Sequence, residues 1–301
     1  MSAERIPVVG QTVSGLDFNT YPGGKGANQA VAVARLGYPV KMIGKLGTDG
    51  FGVQLRQSLM NAGVGVAAVE SVAGSSGVAV IVVSSTGENS IVVVPGTNAL
   101  LAPEDIDAHV DLIRSAGLVL TQLEIQTPTV ERLAEVCERE GVPLMLDPAP
   151  ARTLPQSILG RLTWLTPNET EAAFYASSAK SKAGDSSEDI VSSLLAAGPA
   201  GVVLKLGERG VQIADRNGLR ESVPAFRVRA VDTTAAGDAF NGAIATALML
   251  GKSAVESARF AAAAAAISVT RHGAQPSMPS FAEVMELLGH EKKSNRTDET
   301  D

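Results

Sequence analysis

Residues 118–146 read LVLTQLEIQTPTVERLAEVCEREGVPLML. Two short apolar runs, 118–123 and 142–146, flank an amphipathic stretch, 128–140, that opens on Pro128. Runs of that length suit buried strands, and the stretch between them has helical spacing with proline at the first turn. A strand, a helix and a second strand of this kind make a parallel crossover unit. The pattern continues outward. Helical stretches at 103–115, 168–176 and 188–197 alternate with apolar runs at 162–165 and 202–206. This predicts an α/β fold, a three-layer, mainly parallel sheet flanked by helices, with ligands at the carboxyl ends of the strands.

Residues 77–95 differ. Two extended runs, 78–84 and 90–94, flank the turn-rich Ser85-Thr86-Gly87-Glu88-Asn89, so they predict an antiparallel hairpin without a crossover helix. With the extended segment 11–21 they form either a small sheet standing off the main domain, as a lid or dimer surface, or an edge extension of the main sheet. No fixed-period repeat and no linker divides the chain. It reads as one domain over 1–290, with lid segments at about 8–21 and 66–97. The charged residues 291–301 read as a disordered tail.

Composition narrows the function. The 301 residues are 45% hydrophobic and carry a net charge of -7, which disfavours long-range attraction to nucleic acid or anionic membrane. No signal-peptide core opens the chain, and its longest apolar run, 261–269, is too short to cross a bilayer. The lone Cys137 permits no internal disulfide and reads as a packing residue of a cytoplasmic protein.

The chemistry-bearing segment is Asp232-Thr233-Thr234-Ala235-Ala236-Gly237-Asp238. Small residues before a helix start let backbone N–H groups converge on an anion, and the helix dipole adds positive charge. Asp238 beside that hole suits proton removal from a hydroxyl during phosphoryl transfer. The same residues also fit an ordinary capped helix start. Pro22-Gly23-Gly24-Lys25-Gly26-Ala27-Asn28-Gln29 is a ligand-approaching glycine loop or a plain turn. Pro167-Asn168-Glu169-Thr170-Glu171 suits water-mediated Mg²⁺ contacts or a helix cap. Lys205-Leu206-Gly207-Glu208-Arg209-Gly210 suits a nucleotide wall or an ordinary loop. Neither common nucleotide fingerprint is present, since Gly251-Lys252-Ser253 has Thr246 where the first P-loop glycine would stand.

Together with Asp147-Pro148-Ala149-Pro150 and Thr270-Arg271-His272-Gly273-Ala274, these motifs stand in the order and spacing of the ribokinase, or PfkB-type, carbohydrate kinases. The chain resembles that family from about Arg5 to Leu288. The resemblance implies ATP-dependent phosphorylation of D-ribose at the 5-hydroxyl, with Asp238 as general base and the amides of Ala235, Ala236 and Gly237 as anion hole. It implies that Gly24, Lys25, Gly26, Ala27, Asn28 and Glu124 hold the sugar. Asn168, Lys205, Leu206, Gly207, Glu208, Arg209, Gly210, Gly237 and Ala262 would hold ATP. Glu171 would help to place Mg²⁺, and Asp232, Thr234, Ser268, Arg271, Gly273 and Ser277 would hold a K⁺-type ion. It also implies a homodimer through the β lid.

Two departures stand against it. The family begins with a strand and an Asn-x-Asp sugar contact ahead of the segment matching residues 5–10. Here both are absent, so the expectation is a misplaced start or, failing that, a weakened relative. Losing such a charge-assisted partner costs about 1.5–3 kcal/mol. Ala262 replaces the asparagine or histidine often found near the adenine. A kinase for another sugar or nucleoside, and a non-catalytic binder, are the alternatives.

Overall fold

The quoted stretch folds as a parallel crossover in the computed structural model, which describes residues 1–178 and 186–297. Its helix, Thr127–Glu140, buries Val130, Leu133, Ala134, Val136 and Cys137 on one face and ends at Gly141, in the left-handed region at φ 69°. Burial pushes the Cys137 thiol up to about 12, which leaves it an inert packing group. The flanking strands pair in parallel from Val119 opposite Leu144 to Gln122 opposite Asp147.

In chain order the elements are β1 (Ser2–Ala3), β2 (Gly15–Asp17), α1 (Lys25–Arg35), β3 (Lys41–Gly47), α2 (Gly50–Asn61), β4 (Gly65–Val72), β5 (Val78–Ser84) and β6 (Asn89–Val94). There follow α3 (Pro103–Asp107), α4 (Val110–Arg114), β7 (Val119–Gln122), α5 (Thr127–Glu140), β8 (Leu144–Asp147), α6 (Gln156–Leu159), β9 (Trp164–Leu165), α7 (Glu169–Ser178) and α8 (Ser187–Ala196). The chain continues through β10 (Gly201–Lys205), β11 (Val211–Asp215), β12 (Arg220–Val223), α9 (Ala236–Met249), α10 (Ala254–Ser268) and α11 (Phe281–Thr297).

The main sheet has the order β12-β11-β10-β9-β8-β7, parallel from β7 to β10 and antiparallel through β11 and β12. Strand alternation sorts its side chains into two cores. Leu144, Leu146, Val202 and Leu204 meet residues of α5, α6 and α8 on one face. Met145, Val203 and Ile213 meet Phe240 and Phe260, of α9 and α10, on the other. Three layers result. Parallel β3 and β4 form a separate pair, so β7 and β3 are both sheet edges, and α1 lies against each of them.

The hairpin belongs to a distinct four-stranded sheet, β2-β1-β5-β6, rather than to an edge of the main one. Its bounds differ from those expected. Residues 66–72 belong to β4, paired with β3 through Val72 opposite Gly47, while Ser2–Ala3 joins the small sheet. The division falls at Ser76, whose hydroxyl accepts from the Gly47 N–H at 3.0 Å and donates to Asp49 at 2.7 Å. That anchor holds the chain to the main domain before it departs.

Two further expectations are corrected. The helix expected over 103–115 is two short ones, because the His109 ring occupies the Asp105 carbonyl at 2.7 Å while its N–H turns to Ile106. The polar segment read as disordered is helical over 291–297, since extending an existing helix avoids the nucleation penalty. Residues 298–301 lie outside the described residues. Among the described residues no helix is long and apolar enough to cross a membrane.

Candidate active site

The site lies where α1, α9 and the carboxyl ends of β7, β8 and β10 converge. Helix α1 opens at Gly24, whose φ of 91° is left-handed and suits glycine. Its first N–H, at Lys25, has no acceptor within the helix and donates instead to Glu124 Oε2 at 2.8 Å. A carboxylate that follows β7 thus caps a helix 99 residues earlier. The start of α1 also carries Asn28 inward, and its Nδ2 donates to Asp238 Oδ2 at 2.8 Å. Asn28 Oδ1 is buried and has no hydrogen-bond partner among the described residues, so one acceptor in the site is left unsatisfied.

Asp238 stands in the first turn of α9, whose N-cap, Ala235, has a left-handed φ of 58°. That strained turn points the helix start toward the strand ends, as a site-bearing loop does. Ala236 N–H donates to the Thr233 carbonyl at 3.2 Å, so the expected three-amide cradle has one amide already engaged. Lys205 Nζ lies 3.6 Å from where a Cβ on Gly237 would stand, bringing an ammonium to the helix start. The same Nζ donates to Asp147 Oδ1 at 3.0 Å.

The electrostatics are those of charges withdrawn from water. Burial raises the Asp238 carboxyl to about 6; Lys25 opposes the rise, Asp147 adds to it, and the Asn28 and Gln29 hydrogen bonds oppose it. Burial works to lower the Lys25 ammonium, but Asp238, Asp147, Glu124 and Glu171 outweigh it and hold Lys25 above its ordinary value. A carboxylate near neutrality beside a fixed cation can accept a proton from an alcohol at physiological pH.

The other expected residues are placed as follows. Ala27 turns its side chain into the core with Ala239 and Met278, which leaves only its backbone for a ligand. Asn168 and Glu171 cap each other. The Asn168 N–H and Nδ2 donate to the Glu171 carboxylate at 2.8 and 3.0 Å, and the Glu171 N–H donates to Asn168 Oδ1 at 2.8 Å. The pair abuts the end of β10, where Asn168 bridges Lys205. Gly207 and Gly210 close a tight turn, with the Leu206 N–H on the Gly210 carbonyl at 2.8 Å. Glu208 and Arg209 are exposed on that turn, and Arg209 pairs with Glu169. Ala262 is buried in the α9–α10 core and offers an apolar wall only.

Asp232 joins two loops, accepting from the Thr234 N–H at 2.8 Å and the Gly273 N–H at 2.9 Å. Burial works to raise its carboxyl, but these hydrogen bonds hold it below its ordinary value. Ser268 and Ser277 are fully buried with their hydroxyls on backbone carbonyls, while Arg271 turns away to pair with Glu283.

Sequence reasoning missed Gln29 and Gln122. Gln29, which is 2% exposed, donates to both the Asp147 and Asp238 carboxylates, and Gln122 donates in turn to Gln29. The available signal was a glutamine opening an otherwise apolar helix, 30–36.

Comparison with known proteins places the chain in a family. Residues 2–280 match the model of the pfkB family carbohydrate kinases. A ribokinase of Bacillus subtilis (strain 168) is 40% identical over 96% of this chain and 94% of its own. Among solved structures, the ribokinase of Thermotoga maritima aligns with a TM-score of 0.87 at 38% identity, covering 96% of this chain and 94% of the other. The Arabidopsis thaliana ribokinase complexed with ribose and ATP aligns at 0.88 and 36% identity, covering 95% and 94%. The chain therefore belongs to the pfkB family of carbohydrate kinases.

Proposed function

We propose that this protein is an ATP-dependent ribokinase that phosphorylates D-ribose at its 5-hydroxyl, giving ribose 5-phosphate and ADP. The observation that carries the reading is the convergence of Asp238, Asn28 and the Lys205-flanked start of α9 in one buried site. Asp238 takes the proton of the 5-hydroxyl. That oxygen then bonds to the γ-phosphorus as the bond to the β-bridging oxygen breaks, and the electrons leave with ADP. Such a transfer needs alignment and charge neutralisation more than covalent help. The Gly237 and Ala235 amides, the α9 dipole and Lys205 supply the neutralisation.

Lys25, Asn28, Glu124 and the backbone of Gly24, Gly26 and Ala27 hold the sugar. The 205–210 turn, Asn168 and the apolar face of Ala262 line the nucleotide. Mg²⁺ arrives on ATP as part of the substrate. Glu171, which accepts from the Asn168 N–H and Nδ2, would help to hold that ion through its water shell. The Asp232 carboxylate, with backbone carbonyls among residues 234, 268, 271, 273 and 277, would hold a monovalent cation; bound there, it would add positive charge beside the anion hole. The small sheet leaves Ile91, Val92, Val93 and Val94 exposed, which supports its service as lid and dimer surface. An ATP-consuming enzyme with one buried thiol fits the cytoplasm.

Purified protein with ribose, ATP, Mg²⁺ and K⁺ should release ADP, and Asp238→Ala should slow the release by about 10²–10⁴-fold. A panel including 2-deoxyribose, other sugars and nucleosides identifies the acceptor. Tight calorimetric binding without turnover would instead establish a non-catalytic binder.

A further inference from the structure

One buried amide joins both carboxylates of the site. Gln29 Nε2 donates to Asp238 Oδ1 at 3.1 Å and to Asp147 Oδ2 at 3.0 Å. Carboxylates can only accept, so the NH₂ end of Gln29 must face both, whichever way an isolated amide would settle. Its Oε1 end accepts from Gln122 Nε2 at 2.5 Å, which secures that orientation from β7. The remaining oxygen of Asp147 takes Lys205 Nζ at 3.0 Å, and Lys205 also reaches the start of α9. Gln29, Asp147 and Asp238 are all nearly inaccessible, at 2%, 3% and 4% exposure. Both hydrogens of one amide on two carboxylates fix the separation and rotamers of those groups, and a base must be held closely to act.

We propose that Gln29 is a positioning residue for the general base, holding Asp238 toward the sugar hydroxyl and coupling it to the Asp147–Lys205 pair beside the phosphate cradle. This rests on the reading of Asp238 as the base. The charged groups around Asp238 are Lys25 from α1 and Asp147 from β8; Lys205 of β10 lies behind Asp147, and Glu124 and Glu171 lie around Lys25. Gln29 favours the ionised carboxyl by donating to it. Asp147 disfavours it through like charge.

The two partners should therefore move the acid limb of kcat/KM in opposite directions. Gln29→Leu removes a donor to the anion, so the limb should shift above about 6, while kcat falls about tenfold or more and KM for ATP holds. Asp147→Asn removes a negative charge, so the limb should shift below about 6. Folding of each variant is checked by thermal unfolding. If Gln29→Leu does not fold, the similarly sized Gln29→Met, which also lacks the amide donor, is measured in its place. A limb that stays in place in the folded variants, or moves the same way in both, overturns the proposal. Asp238→Ala separates the two levels: retained turnover there removes the base itself, whereas lost turnover with a wild-type Gln29→Leu removes only the positioning role.

Discussion

Asn28 on α1 and Asp238 on α9 stand 210 residues apart in sequence, and their side chains meet through a 2.8 Å hydrogen bond. The helices that carry them can approach this closely because of Gly242. A Cβ there would stand 2.6 Å from the Ala32 Cβ and 2.8 Å from the Gln29 carbonyl.

Gly242→Ala should therefore act at a distance. The added methyl forces α1 from α9 at its contact with the Gln29 turn, and overpacking of this kind costs about 1–3 kcal/mol. Turnover should fall further than stability implies, because Asn28 and Gln29 withdraw from Asp238 together. Urea unfolding and steady-state kinetics of the same preparation measure both effects.

The raised Asp238 carboxyl makes activity and stability oppose each other with pH. As the proposed base, Asp238 would act only when ionised, so kcat/KM should fall as pH drops through about 6. For stability the sign reverses. The native state binds this proton more tightly than the unfolded chain, so the contribution is complete below 3.8 and lost as pH climbs through about 6. The gap corresponds to about 3 kcal/mol. Asp238→Ala should flatten the decline in unfolding free energy across that window and lower turnover by about 10²–10⁴.

Asp232 ties the Thr234 and Gly273 loops by hydrogen bonds of 2.8 and 2.9 Å. Asp232→Ala should release both loops and weaken cation activation. In potassium titrations its half-activating concentration should rise about tenfold or more, as expected from losing a charge-assisted contact of about 1.5–3 kcal/mol. An unchanged titration curve would move the cation site elsewhere.

The exposed strand β6 presents Val92 and Val93 at 60% and 62% accessibility. A homodimer through this sheet should become monomeric on Val92→Lys, since a charge buried at an apolar contact is not readily paired. Light scattering of both proteins provides the check, and a wild-type monomer would refute the dimer.

Local patterns carried much of the architecture. The 118–146 crossover, the hairpin and the start of α9 depend on periodicity, turn residues and small residues, all of which act over a few positions. The helix expected over 103–115 failed for a local reason that propensity does not register: a histidine ring took the carbonyl of its own preceding turn.

The linear chain thus determined the alternation of strands and helices, a helix start built of small residues and a carboxylate in its first turn, because each is written in neighbouring residues. Only the folded structure decided that Glu124 caps α1, that Gln29 binds both Asp147 and Asp238, and that Lys205 reaches the start of α9. Those meetings depend on how α1, α9 and the strand ends pack. Packing is set by contacts summed over the whole core, and no short window of sequence contains them.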